Sequence, residues 1–141
     1  MQQLNIVEKV IALEAVDVFV NLTPEQLARI AAIAHEVEST PGAVILDGSK
    51  PIDALYVIME GAVELSHGDE PPTTGREGKV LGAWALFTEN DPIRVTARAL
   101  EDTRLLRIDR EQFYELLTDH SEITSAIFAA LVERFRGAVK Q

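Results

Sequence analysis

The spacing of apolar residues changes near Glu36 and again near Ile108, and those changes divide the chain into three stretches. In the first, Leu4, Ile6, Val7, Val10, Ile11 and Leu13 form a helical stripe with Glu8 and Lys9 outside it. Thr23 then caps a second helix. Pro24 takes its first position, Gln26 completes a capping box, and Leu27, Ile30 and Ile33 face inward. Two short helices packed on one side of a sheet follow from this pattern.

In the middle stretch, Pro41-Gly42, Gly48, Gly61 and Gly68 fall between β-rich segments such as Ala43 to Leu46, Leu55 to Met59 and Ala62 to Ser66. Short strands punctuated by turn makers predict a small antiparallel roll or barrel. The polar run from His67 to Gly78, HGDEPPTTGREG, reads as a mobile hairpin loop, with a partner-binding tip as the alternative.

Asp109 opens a second capping signal, three residues ahead of Gln112, and the helix continues through Phe113, Leu116 and Leu117. A last helix begins near Ser121. Ile123, Ile127, Leu131 and Phe135 recur in it every four residues, widened by Phe128 and Val132, while Arg134, Arg136 and Lys140 suit the negative end of its dipole. Packing of this helix on its own domain is expected, and a homodimer through it is the alternative. The predicted whole is one α+β, mainly β domain over residues 1–141. Helices fill 1–35 and 110–141 and flank an antiparallel β-roll or jelly-roll barrel over 36–109.

Composition agrees with a single core: 47% of the 141 residues are hydrophobic. No run approaches the roughly 18 apolar residues of a membrane span, and the N-terminus lacks a signal pattern, so a soluble chain with no membrane insertion is expected. The absence of cysteine excludes disulfides and a thiolate nucleophile and suits the cytoplasm. With 13 basic against 23 acidic residues, the net charge of −10 repels a polyanion, so nucleic acid is not an expected partner.

The stretch that carries chemistry is Lys79 to Ala99, KVLGAWALFTENDPIRVTARA. Lys79 to Leu81 reads as a strand end, Gly82 permits a turn, Ala83 to Phe87 makes one or two helical turns, Glu89 to Pro92 breaks, and Val95 to Leu100 resumes as a strand. Such a strand-Gly-helix junction holds an anion weakly, through backbone N–H groups without partners.

With FVNLTPEQLARIA at Phe19 to Ala31, TPGAVILDGSKPIDALYVIMEGAVEL at Thr40 to Leu65 and LEDTRLLRIDREQFYELL at Leu100 to Leu117, the chain resembles the cyclic-nucleotide-binding domain of catabolite-activator-type proteins, kinase regulatory subunits and gated channels. In that family the cassette reads aromatic-Gly-Glu, then Ala-Leu, then Pro-Arg-x-Ala-Ser/Thr. Gly82, Ala85, Leu86, Pro92 and Thr96 match it. The resemblance implies that Ala83 stands where the family has the Glu that accepts from the ribose 2′-hydroxyl, and Ile93 where it has the Arg that pairs with the cyclic phosphate. Arg94 lies one position late, and an offset of one residue entering a strand turns a side chain to the other face. Hydrogen bonds to charged groups contribute roughly 1.5–3 kcal/mol each, so two missing partners forfeit on the order of 3–6 kcal/mol, a hundredfold to ten-thousandfold in affinity.

The candidate ligand-binding positions of this degenerate cassette are Gly82, Ala83, Trp84, Ala85, Ile93, Arg94, Val95 and Thr96. Trp84 is expected in the core of the short helix, rather than stacked on a ligand base. In a third reading, Trp84 or Ile93 fills the volume of a sugar-phosphate and leaves a self-plugged, apolar pocket. Catalytic constellations are absent from the pattern. His35, His67 and His120 lack metal-ligand spacing, Ser66-His67 and His120-Ser121 are sequence neighbours only, and no Walker-type or G-x-G-x-x-G loop is present. No enzyme, cofactor or metal is expected.

What the resemblance implies is a regulatory or protein-interaction module with lost or altered nucleotide binding, meeting a cyclic nucleotide or another small ligand weakly. One alternative is a working cyclic AMP or cyclic GMP sensor that uses Arg94 and the cassette helix N-terminus. Another is a soluble regulatory domain of a larger transporter, channel or enzyme.

Overall fold

The computed structural model describes residues 4–89 and 92–139. Lys140, and Asn90 and Asp91 of the expected breaker, lie outside the described residues.

Helices α1 (Ile6–Leu13) and α2 (Pro24–Ile33) come first, joined through a 3-10 turn at Asp17–Phe19. Eight strands follow: β1 (His35–Ser39), β2 (Val44–Leu46), β3 (Ala54–Glu60), β4 (Ala62–Ser66), β5 (Thr73–Arg76), β6 (Val80–Leu81), β7 (Thr96–Ala99) and β8 (Thr103–Asp109). A second 3-10 turn, Ala83–Leu86, lies between β6 and β7, and α3 (Arg110–Asp119) and α4 (Ser121–Val139) close the chain. The strands form two antiparallel four-stranded sheets, ordered β1-β8-β3-β6 and β2-β7-β4-β5. The architecture is the expected α+β, mainly β one.

Strand β3 explains how one short chain supports two cores. Its side chains alternate, so Ala54, Tyr56 and Ile58 enter the core between the sheets while Leu55 and Val57 enter the core beneath the helices. Strand β8 divides likewise, with Leu105 inside the roll and Leu106 and Ile108 under the helices. Phe19 and Phe113 meet in the helix-side core with ring centroids 6.0 Å apart. Burying each such side chain contributes about 1.5–3 kcal/mol, which ties the helices to this sheet.

The capping box of α2 forms as the sequence predicts: Gln26 N donates to Thr23 Oγ1 at 3.2 Å and Thr23 N to Gln26 Oε1 at 3.0 Å. A second box, at Asn5 and Glu8, starts α1 and lacked notice in the apolar pattern. The α1 stripe is only partly used. Leu13 is buried, but Ile6, Val7 and Ile11 are exposed, because the helix meets the domain along one edge. At α3 the expected cap does not form. Asp109 precedes the helix but makes no capping bond, because its carboxylate accepts from Arg107 Nε instead.

The expected loop from His67 to Gly78 contains β5, paired with β4 from Ala62↔Arg76 to Leu65↔Thr73. Gly75 acts there as a strand residue: a Cβ on it would press on Lys79, Ile58 and Leu65 at 3.2–3.4 Å. Helix α4 also departs from the expected single stripe. Ile123, Ile127 and Ala130 are buried, whereas Phe128 is 66% and Phe135 70% exposed. The helix therefore packs on its own domain through its first half and extends beyond it. Among the described residues, no helix is long and apolar enough to cross a membrane.

Candidate functional site

Gly82 sets the geometry of the cassette. Its φ of +76° is a left-handed conformation that L side chains rarely adopt, and a Cβ would sit 2.5 Å from the Ala54 carbonyl oxygen. Glycine thus lets the chain turn directly against the start of β3. Ala85 and Leu86 are then buried. Arg110 of α3 donates to the Ala85 and Thr88 carbonyls, both at 3.2 Å, which satisfies the end of the 3-10 turn. Phe87 adds an edge-on contact with Phe113 at 6.1 Å.

On the other side of the cassette, Thr96 begins β7, and its Oγ1 accepts from Gly48 N at 3.1 Å. The hydroxyl that the family motif places near ligand is therefore engaged by the β2–β3 loop. His67 Nδ1 donates to the Arg94 carbonyl at 2.8 Å, which fixes the approach to β7. The Arg94 guanidinium reaches the Ile93 carbonyl at 3.4 Å.

Two adjoining clefts lie between these walls. The larger, about 240 Å³, is lined by Leu46, Ile52, Leu65, Val80, Leu81 and Val95, with Thr73, Pro71, His67, Glu70 and Lys79 toward its polar side. The smaller, about 130 Å³, is lined by Ile52, Gly82, Ala83, Trp84, Ala85, Ile93 and Val95. Ile52, Gly82 and Val95 belong to both and make the two continuous. Of the eight sequence-predicted positions, Gly82, Ala83, Trp84, Ala85, Ile93 and Val95 line this space. Arg94 and Thr96 are not among its lining residues. The charges that line it, Glu70 and Lys79, are opposite in sign.

Trp84 corrects an expectation. It is 54% exposed rather than in the core, because Ala85 and Leu86 take the inward positions of so short a turn. The Arg134 guanidinium of α4 lies 5.5 Å from its ring centroid. Arg134 also pairs with Asp17 at 3.7 Å, so cassette, N-terminal turn and last helix meet at one side chain. The apolar pattern carried no signal for this contact.

A separate polar cluster stands at the start of α3. Arg107 NH1 donates to the Tyr56 hydroxyl at 2.6 Å and its NH2 lies 3.6 Å from Asp53. Burial raises the Tyr56 phenol above its ordinary range, with Arg107 pulling it down and Asp53 and Asp109 pushing it up. Burial pulls Arg107 down, but its hydrogen bond to Asp109 and the neighbouring charges outweigh this and hold it above the usual value. The cluster sets one guanidinium against two carboxylates and organises the β8–α3 junction.

Comparison with known proteins adds to this geometry. The sequence pattern of the family described as "Cyclic nucleotide-binding domain" matches residues 36–120. The N-terminal domain of a transcriptional regulator from Streptomyces coelicolor A3(2) superposes with a TM-score of 0.80 at 27% identity, covering 92% of this chain and 93% of that one. A cyclic nucleotide-binding-like protein from Brucella abortus gives 0.69 at 29% identity, covering 79% and 98%. A cGMP-dependent protein kinase of Caenorhabditis briggsae is 30% identical over 114 residues, 76% of this chain and 15% of the kinase. The chain likewise spans 8% of a fungal lysophospholipase and 46% of a mycobacterial HTH-type regulator.

Proposed function

The chain belongs to the cyclic nucleotide-binding domain family, and from that premise we propose that it is a regulatory module in which the nucleotide response is lost or altered. The family is a binding domain of regulatory proteins rather than a catalytic one. The observation that carries the reading is the chemistry of the cassette walls. Ala83 and Ile93 line the cleft where the family motif would place a ribose acceptor and a phosphate partner. An anion seated there would exchange water for methyl groups, a costly transfer without compensating donors.

The sensor alternative gains little support. Arg94 lines neither cleft, and a four-residue 3-10 turn is too short to develop a useful dipole. The small share of its curated relatives that the chain spans favours use as one unit of a larger regulated protein. The output path would run from Trp84 through Arg134 to α4.

Calorimetry with cyclic AMP and cyclic GMP tests the reading. No heat of binding is expected at micromolar nucleotide, whereas Ala83→Glu with Ile93→Arg should restore measurable affinity and either change alone should do less. A micromolar constant in the unaltered protein that disappears in Arg94→Ala would instead establish the sensor.

A further inference from the structure

We infer that the cleft between Gly82 and Thr96 is a site for a compact, uncharged apolar molecule of about two or three rings, in the size range that small apolar cavities accept. This rests on the reading that the nucleotide contacts are lost.

The walls decide the ligand class. Ile52, Leu65 and Val95 present apolar surface to the larger cleft, and Ala83, Trp84 and Ile93 continue it into the smaller one. Leu65 and Val95 are only half-buried although they lie beside the inner core of the roll, so an apolar guest would complete their burial. Both clefts open to solvent, and an apolar guest would release the water that wets their largely apolar walls. Size agrees as well. An apolar cavity of about 150 Å³ accommodates benzene, and the two continuous clefts here are about 240 and 130 Å³.

Charge narrows the class further. Glu70 and Lys79 sit at the polar side of the larger cleft and offset one another, so neither an anion nor a cation finds a net field. The protein's overall charge of −10 adds a further bias against anions. Thr73 supplies a hydroxyl at the same side, suited to one polar substituent on an otherwise apolar body.

N-phenyl-1-naphthylamine, uncharged and fluorescent in apolar surroundings, is the probe. Trp84 is the one tryptophan in the chain and lines the smaller cleft, so energy transfer from it reports binding at this place. The expected result is saturable binding of one probe per chain with quenching of Trp84. Val95→Glu puts a charge into the wall and should weaken binding at least about tenfold. Val44→Glu, at an exposed strand position outside the cleft, should leave it unchanged. Should Val95→Glu lose the cooperative thermal transition, the near-isosteric Val95→Thr replaces it, with a smaller loss expected. No saturable binding, or binding indifferent to substitution of Val95, overturns the inference while the loss of nucleotide response stands. Displacement of the probe by micromolar cyclic nucleotide overturns both.

Discussion

At Gly82 a single missing side chain decides whether the cassette exists. Gly82→Ala must adopt a left-handed backbone and push against the Ala54 carbonyl. We expect it to lose at least about 1–3 kcal/mol in urea denaturation, with a weaker signature of the native Trp84 environment. Tyr56 offers a titration at the same scale. The folded chain holds its phenolic proton more tightly than the unfolded chain does. Stability linked to it is therefore complete below the ordinary tyrosine value, about pH 10, and lost as pH rises through the folded value. In Tyr114→Phe, where Tyr56 is the remaining tyrosine of the two, phenolate absorbance should develop above the range of free tyrosine and return to it in urea. Ionisation at the ordinary value in the folded protein would contradict the burial of Tyr56.

Among the elements, α4 divides its two halves between different roles. Ile123, Ile127 and Ala130 anchor the first half, and from Val132 onward the helix is exposed. Ile127→Ala should therefore cost about 2–5 kcal/mol. Ending the chain before Val132 should cost only about 1 kcal/mol or less, the worth of the Arg134 contacts with Trp84 and Asp17. Thermal melts of both variants decide it. Equal losses would mean that the exposed half packs on the domain after all. This division explains why the four-residue recurrence misled. It grouped Phe135 with Ile123 and Ile127, but a helix leaves the body that it packs on at a point set by the width of that body.

For the whole molecule, the exposed residues Phe128, Val132, Phe135 and Val139 recur at intervals of four, three and four, the seam spacing of a coiled coil. A second copy of α4 fits such a seam. The seam is short, and helices below about 12–15 residues are marginal alone. Copies that each carry a net charge of −10 also repel. Sedimentation velocity should then show weak association that grows with protein concentration and with salt, as screening removes the repulsion, and that Phe135→Glu abolishes. A monomer under all these conditions would exclude the seam as a self-contact.

Much of this protein was written in one dimension. The β-rich segments Leu55 to Met59 and Ala62 to Ser66, the Thr23 box and the glycines before β2, β3 and β4 determined the roll and its flanking helices, because local composition, periodicity and turn chemistry are properties of neighbouring residues. The order of cassette residues likewise revealed the missing Glu and Arg positions through resemblance. Tertiary structure alone decided the rest. Asp109 gave up its cap because Arg107 from the same strand competes for the carboxylate, and Trp84 faces solvent because its neighbours Ala85 and Leu86 take the inward positions. Thr96 is occupied by Gly48, forty-eight residues away. Two clefts became one apolar site because Ile52, from a loop with no motif of its own, joins Val95 and Gly82. At Thr96 and Ile52 the outcome depends on which partner arrives from a distant part of the chain, and at Asp109 and Trp84 on which of several local arrangements the packing selects; spacing along the sequence carries neither.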